Sequence, residues 1–209
     1  MEEGRPLGEF YGLKSIGVSE NGLFLIERPD GEVVEYNSTM QSNDEYRQYL
    51  GNGLPKVYLG WSNTLRYKNW DLSMQFTGQF GFKILNCSRM FYENNAIPYN
   101  KLKSVEKAPY GSSYALSSSQ QAAFVSYYLE NGDFMKLTNL TIGYNFPIKS
   151  NRYLKSARAY LSGDNLFCIT GYSGLDPELS NASPAYAGVD SREQYPSIRS
   201  FTFGVNFTF

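Results

Sequence analysis

The chain of 209 residues carries 19 basic and 20 acidic side chains for a net charge of −1, and it has no histidine. The charge balance argues against a nucleic-acid partner, and the missing imidazole removes the commonest general base and metal ligand. Residues are 42% hydrophobic and 16% aromatic, yet mean hydropathy is −0.42, so the apolar residues are dispersed by alternation and no run of about eighteen exists to make a transmembrane helix.

The first residues, Met1 to Pro6, have neither a basic n-region nor an apolar h-region and do not read as a signal peptide, so an exported protein would need more chain upstream. Residues 4–18 read as a turn and then a strand carrying Phe10, Tyr11, Leu13, Ile16 and Val18, thinned by Gly8, Gly12 and Gly17. Residues 23–27 and 32–36 flank Arg28-Pro29-Asp30-Gly31, where proline sets φ and glycine accepts positive φ, and so predict a hairpin. Ser42 and Glu45 stand at capping-box spacing with Tyr46, Tyr49 and Leu50 on one face, which predicts a short helix over 42–50, ended by Gly51 to Pro55.

From residue 57 the alternation becomes regular. Val57, Leu59, Trp61, Leu65 and Tyr67 share one face, opposite Tyr58, Gly60, Ser62, Thr64 and Arg66. After a tight turn at Lys68-Asn69-Trp70, Leu72, Met74, Phe76, Gly78 and Phe80 alternate with Asp71, Ser73, Gln75, Thr77 and Gln79. Residues 81–132 lose this order, apart from a helical turn around 84–92 and the polar run 117–121. A third strand, 133–146, sets Thr138, Leu140, Ile142, Tyr144 and Phe146 against Asn139, Thr141, Gly143 and Asn145. A turn over 147–156 carries Lys149, Arg152 and Lys155. The fourth strand, 157–168, sets Ala157, Ala159, Leu161, Gly163 and Phe167 against Arg158, Ser162 and Asp164. A loop over 172–195 leads to residues 197–209, where Phe201, Phe203, Val205, Phe207 and Phe209 face away from Ser200, Thr202, Gly204, Asn206 and Thr208.

Strands of this length, aromatic on one face and small and neutral on the other, suit a transmembrane β-barrel with lipid outside and water inside. An exposed soluble edge with that face would be blunted by charge or proline. The connections alternate short, long, medium and long. Barrels of this kind keep short turns on the periplasmic side, which places the Lys68-Asn69 turn and the C-terminus there. The expected fold class is therefore all-β, with residues 1–56 an external loop and hairpin region including the end of a preceding strand, and residues 57–209 about five antiparallel transmembrane strands with long extracellular loops.

Cys87 and Cys168 lie too far apart for a CxxC motif; a disulfide between loops and two separate thiols both remain open. The acidic residues Asp30, Glu32, Asp44 and Glu45 do not form the alternating ligand series of a calcium loop, and Asp176, Glu178 and Asp190 read as a solvated loop. No metal or cofactor site emerges, and no nucleophile and base or paired carboxylates converge as an enzyme requires.

Three groups of residues carry a family resemblance. Gly8-Glu9-Phe10-Tyr11-Gly12-Leu13-Lys14-Ser15, Leu54-Pro55-Lys56 and Tyr67-Lys68-Asn69-Trp70-Asp71-Leu72-Ser73 form the first. Tyr127-Tyr128-Leu129-Glu130-Asn131-Gly132-Asp133-Phe134-Met135-Lys136-Leu137 with Leu140-Thr141-Ile142-Gly143-Tyr144 form the second. Gly163-Asp164-Asn165-Leu166-Phe167, Tyr172-Ser173-Gly174-Leu175-Asp176-Pro177-Glu178 and the terminal Phe209 complete them. In this order they resemble the C-terminal portion of SusC/RagA-type TonB-linked outer-membrane transporters, over nearly the whole chain.

The resemblance implies a segment of a large 22-stranded outer-membrane β-barrel, closed around a plug and coupled to TonB through an N-terminal part. It also implies a SusD-like surface lipoprotein as partner, with a glycan or a peptide as imported substrate. Five strands cannot close, so the remaining barrel strands and plug are partners as well. Parity then turns Tyr58, Gln75, Gln79, Asp164 and Ser200 into the lumen near the outer mouth, where they face substrate or plug. Arg66 and Arg158 point inward near the periplasmic end, toward a plug carboxylate. Phe209 takes the family's place in the signal read by the barrel-assembly machinery. The alternative is a soluble secreted β-sandwich carbohydrate-binding module, which would explain aromatic loops but not the aromatic outer faces.

Overall fold

The computed structural model describes residues 3–120, 122–148, 153–179 and 186–209. Met1 and Glu2, Gln121 of the polar run, and Lys149 and Arg152 of the expected basic turn lie outside the described residues. In chain order the strands are β1 (Glu9–Val18), β2 (Phe24–Glu27), β3 (Val33–Glu35), β4 (Arg47–Asn52), β5 (Val57–Tyr67) and β6 (Trp70–Phe80). These are followed by β7 (Lys83–Asn86), β8 (Leu129–Asn131), β9 (Phe134–Phe146), β10 (Ser156–Thr170), β11 (Val189–Asp190) and β12 (Ser200–Thr208). A short helix, α1 (Cys87–Tyr92), follows β7. The chain forms two compact units, one from Met1–Pro55, Gly81–Gly132 and Tyr172–Gln194, the other from Lys56–Phe80, Asp133–Gly171 and Tyr195–Phe209.

The first unit holds a four-stranded sheet, β3-β2-β1-β4, and a small sheet, β11-β7-β8. The hairpin at Arg28 to Gly31 forms as the turn chemistry predicts, with Gly31 at φ +90°. Its core gathers Leu13, Phe24, Ile26 and Val125, all fully buried, around Phe10, Met40, Leu116 and Tyr128.

The helix expected over 42–50 does not form. Asn37 caps a single tight turn over Ser38–Ser42, and Asn43 Oδ1 accepts from the Glu45 amide at 3.0 Å. From Arg47 the chain is β4, antiparallel to β1, with Tyr49 opposite Tyr11 and Arg47 opposite Leu13. That pairing brings the rings of Tyr49 and Tyr11 to 4.9 Å and seats the Arg47 guanidinium 4.4 Å over Tyr11. Nine residues of weak helical pattern gain less as a helix than as a partner to an existing strand. The helical turn expected over 84–92 is strand in its first residues and helix only from Cys87.

The second unit is one sheet in the order β12-β10-β9-β6-β5. Its registers align the side chains in rows. Outward rows read Tyr67, Trp70, Tyr144, Ala159, Val205, then Leu65, Leu72, Ile142, Leu161, Phe203, then Asn63, Met74, Leu140, Gly163, Phe201. The opposite rows read Arg66, Asp71, Gly143, Tyr160, Gly204, then Thr64, Ser73, Thr141, Ser162, Thr202, then Ser62, Gln75, Asn139, Asp164, Ser200.

One expectation changes here. Thr138 does not share the face of Leu140. Asn139 pairs with Gln75 and Leu137 with Phe76, so Thr138 is the extra residue of a β-bulge, and its hydroxyl donates to the Gln75 carbonyl at 3.0 Å. Beyond the bulge Leu137 and Met135 fall on the apolar face, beside Phe76 and Phe167 and beside Gly78 and Ile169. The starts of β5, β9 and β12 and the ends of β6 and β10 share the end of the sheet opposite the Lys68-Asn69 turn, where Lys68 takes φ +52°. Among the described residues each of β5 and β12 keeps one unpaired edge, so the sheet is open.

Truncating the fully buried Phe24 to Ala should lower the stability of the first unit by about 3–5 kcal/mol. Val33→Ala, on the exposed edge strand of the same sheet, should stay within about 0.5 kcal/mol. Denaturant midpoints of the purified protein read both, and equal midpoints would contradict this core.

Candidate functional site

The polar face of the five-stranded sheet carries every lumenal candidate named from the sequence. Gln75, Asp164 and Ser200 fall in a single row with Asn139 and Ser62, while Tyr58 and Gln79 face each other nearer the end remote from the Lys68-Asn69 turn. The middle row is hydrogen-bonded across strands. Asp164 accepts from Asn139 Nδ2 at 2.6 Å and from Ser200 Oγ at 2.9 Å, and Asn139 also bonds Ser162 at 3.0 Å and Thr141 at 3.0 Å. Both carboxylate oxygens of Asp164 are thereby engaged, and its charge is shared with groups on the two neighbouring strands. Tyr58 is 67% exposed, leaving its ring open on this face.

Nearer the turn, Arg158 and Asp71 form a bidentate pair, with Nε to Oδ1 at 3.0 Å and Nη2 to Oδ2 at 2.5 Å, and Asn145 donates to the same carboxylate at 2.9 Å. The pair reaches from β10 to β6 across the intervening β9. It can do so because the residue beneath is Gly143, where a Cβ would meet both the guanidinium and the carboxylate. Sequence reasoning did not include Tyr160, whose ring lies over Gly204 and 5.1 Å from the Arg158 guanidinium. Arg66 stands opposite Asp71 in the register and makes no ion pair among the described residues. Phe209 is 76% exposed, and its carbonyl accepts from Lys155 Nζ at 2.9 Å.

In the first unit, the motif around Glu130 supplies a second, buried cluster. Glu93 is 2% exposed. It accepts from Arg89 Nε at 2.7 Å, Arg89 Nη2 at 3.1 Å, Tyr127 Oη at 2.7 Å and Ser104 Oγ at 3.0 Å. Arg89 Nη1 also donates to Glu130 at 2.8 Å, and Glu130 accepts from the Ser173 amide at 2.8 Å and its hydroxyl at 2.7 Å. Burial opposes ionisation of Glu93, but Arg89 and Tyr127 outweigh it and hold the carboxyl below its ordinary value. Burial, then the adjoining Glu93 carboxylate, pushes the Tyr127 hydroxyl up.

Asp190 departs from the solvated-loop expectation. It is 8% exposed, drawn in where β11 pairs in parallel with β7, and Tyr172 donates to it. Burial pushes its carboxyl up although the Tyr172 hydroxyl pulls the other way. Glu178 stays exposed, in a turn where its amide bonds Asp176 at 3.0 Å. Both cysteines carry thiols, Cys87 half-buried and Cys168 exposed.

No family model matches the chain. Among curated proteins it is similar to TonB-dependent receptor P3 of Formosa agariphila, at 29% identity over 100% of this chain and 23% of that receptor. It is also similar to TonB-dependent receptor P26 of the same organism, at 30% over 77% of this chain and 18% of that one. The third is TonB-dependent receptor SusC of Bacteroides thetaiotaomicron, at 28% over 93% of this chain and 20% of SusC. Among solved structures, a chain of the RagAB peptide transporter superposes with TM-score 0.79 at 25% identity, over 96% of this chain and 23% of that one. A chain of the RagAB peptide importer in its open-open state gives 0.80 at 23% identity and supports the fold alone. The chain thus spans only about a fifth of the curated relatives it matches.

Gly143→Ala should force the Arg158 and Asp71 side chains apart and cost about 1–3 kcal/mol. Gly60→Ala, with open space around its Cβ position, should not. The folded, heat-modifiable fraction of the receptor measures the difference, and indistinguishable variants would remove the ion pair as a constraint. A pH effect follows from Glu93. Its folded-state value lies below the unfolded one, so its contribution is complete above the ordinary glutamate value of about 4.3. That contribution is lost as pH falls through the lower, folded-state value. Glu93→Gln should flatten the loss of stability of the first unit on acidification, and an unchanged pH profile would contradict this.

Proposed function

We propose, for a chain that belongs to the SusC/RagA-type TonB-dependent receptors, that its five-stranded sheet is an arc of an outer-membrane β-barrel through which a nutrient is imported. The observation that carries this reading is the separation of the sheet's faces. Phe203 is 72% exposed, Phe201 69% and Leu65 53%, and they stand in continuous apolar rows. The opposite rows are hydroxyls, amides and one cross-strand ion pair. A soluble sandwich would cover the apolar face with a second sheet, and the described residues of this unit contain one sheet. Aromatic residues at both ends of the rows, Tyr67 and Trp70 at one and Trp61 and Phe167 toward the other, match the two interfacial belts of a membrane barrel.

On this reading the polar rows line the lumen. Tyr58, Gln75, Gln79, Asp164 and Ser200 form wall that substrate or plug passes, and Arg66 is the guanidinium placed to meet a plug carboxylate. The rest of the barrel, its plug and the contact with TonB belong to the receptor beyond these residues. The long segments leave the sheet at the end opposite the short turn, which is the outer side in such barrels, where a SusD-like lipoprotein would meet them. The substrate is a glycan or a peptide; the RagAB neighbours are described as peptide transporters. The exposed aromatic Phe209 would serve as the assembly signal, and the chain itself would carry out no catalysis.

Phe203→Arg puts a charge among outward rows and should cost about 2–4 kcal/mol in the membrane, whereas Thr202→Arg, on the polar face, should be far milder. Assembly of the full receptor in outer membranes, read as the heat-modifiable fraction, checks the contrast. Equal assembly of the two would sink the assignment of faces.

A further inference from the structure

In the first unit, α1, the turn at Ser173 and the residues that follow β11 line a cavity of about 140 Å³. A cavity of about 150 Å³ engineered in another protein holds one benzene molecule, and pockets for whole ligands start at about 300 Å³, so this one takes a single residue-sized group. Part of its wall is already committed. Arg89 is engaged through Nε, Nη1 and Nη2 with Glu93 and Glu130, and Asn86 and Ser173 both bond Glu130. Asp190 accepts from the Tyr172 hydroxyl, and burial pushes its carboxyl up, which favours its uncharged form.

Three donors on the same wall are not committed. Arg192, Ser88 and Ser191 make no side-chain hydrogen bond or ion pair among the described residues. The Arg192 guanidinium lies 4.0 Å over the Phe91 ring of α1. Stacking of that kind occupies the face of a guanidinium and leaves its N–H edges free to bond. It also orients a long side chain in advance, which reduces the ordering cost of binding. With Arg89 neutralised by its own carboxylates, Arg192 is the cation of this wall left for a ligand. One oriented fork beside two hydroxyls calls for an acceptor with two adjacent oxygens.

We propose that this cavity is a subsite for a carboxylate carried by the imported ligand, with Arg192 as its bidentate partner and the Ser88 and Ser191 hydroxyls as further donors. The proposal rests on the import reading and narrows it. A peptide terminus and a uronic acid both offer that group, whereas a neutral sugar does not. The small volume suits the end of a longer ligand, whose remaining units stay outside, past Leu175, which lines the cavity and is 78% exposed.

The test is a calorimetric titration of the complete receptor in detergent with two pairs of probes, tri-alanine against tri-alanine amide and glucuronate against glucose. At least one acid should bind tenfold or more tightly than its neutral partner, the scale of a hydrogen-bonded charge. Arg192→Gln should abolish that preference and Arg192→Lys, which keeps the charge but not the fork, should restore only part of it. Lys107→Gln, an exposed cation of the same unit away from the cavity, should leave the preference unchanged. A preference confined to the tripeptide assigns the carboxylate to a peptide terminus, and one confined to glucuronate assigns it to a glycan acid. Should Arg192→Gln assemble less well, the comparison of each acid with its neutral partner in the parent receptor stands without any variant. Equal binding within both pairs, or a preference that survives Arg192→Gln, overturns the proposal. The titration needs no transport, so it can fail while the Phe203 and Thr202 contrast holds.

Discussion

A β-sheet that separates two solvents depends on parity. Side chains alternate, so one residue of slip sends a whole strand's apolar set to the wrong side. In this sheet the constraint is met by a bulge and not by unbroken alternation. Counting by twos from Leu140 would carry Lys136 to the apolar face. The extra residue Thr138 resets the count, so that Leu137 and Met135 turn outward and Lys136 turns inward. There Lys136 is buried and its ammonium donates to Ser197 at 2.6 Å. The Thr138 hydroxyl bonds the Gln75 carbonyl, tying the irregular point to the neighbouring strand. Without that reset a charged side chain would stand in the outward array, and the neighbouring rows could not all remain apolar.

The same reasoning explains what was legible beforehand. The strands β5, β6, β9, β10 and β12 were readable because each shows several cycles of alternation, a signal that belongs to the strand itself. Turn chemistry made the Arg28 to Gly31 hairpin readable for the same reason. The 42–50 segment was not, because its outcome is decided by β1, which supplies Tyr11 as a ring for Tyr49 and Arg47 to cover. Helix and strand compete there, and the deciding contact lies more than thirty residues upstream. Thr138 illustrates a third case: a bulge leaves alternation nearly intact on either side and is visible only in the pairing.

Site residues divide along similar lines. Placement on the polar face followed from parity alone, and the structure puts Gln75, Asp164 and Ser200 in one row. Partners did not follow, because they depend on neighbours in the sheet that are distant in the chain. Tyr160 and Gly143 were the residues to miss. One looks like an apolar residue out of phase and the other like a gap, yet the glycine makes room for a guanidinium to cross β9 and the tyrosine ring flanks that guanidinium. In the first unit the Glu130 motif was legible as a motif but not as chemistry. Its carboxylate holds the Ser173 turn and, through Arg89, the buried Glu93. Charges so enclosed are tolerated because every carboxylate oxygen of Glu93 and Glu130 is hydrogen-bonded.

The two arginines on the polar face are not equivalent, although parity alone treats them alike. Arg158 already has both prongs of its guanidinium on Asp71, and Asn145 bonds that carboxylate as well. Transferring Arg158 to a new carboxylate would leave Asp71 partly enclosed and without its counter-ion, a loss that a surface-type pair would not repay. Arg66 lies in the same row and makes no ion pair among the described residues. The register sets it opposite a carboxylate whose oxygens already bond Arg158 and Asn145, so Arg66 acts on Asp71 through space and not through a hydrogen bond. Within the sheet the Asp71 and Arg158 pair ties β6 to β10 across β9, and the Arg66 guanidinium stands outside that pair.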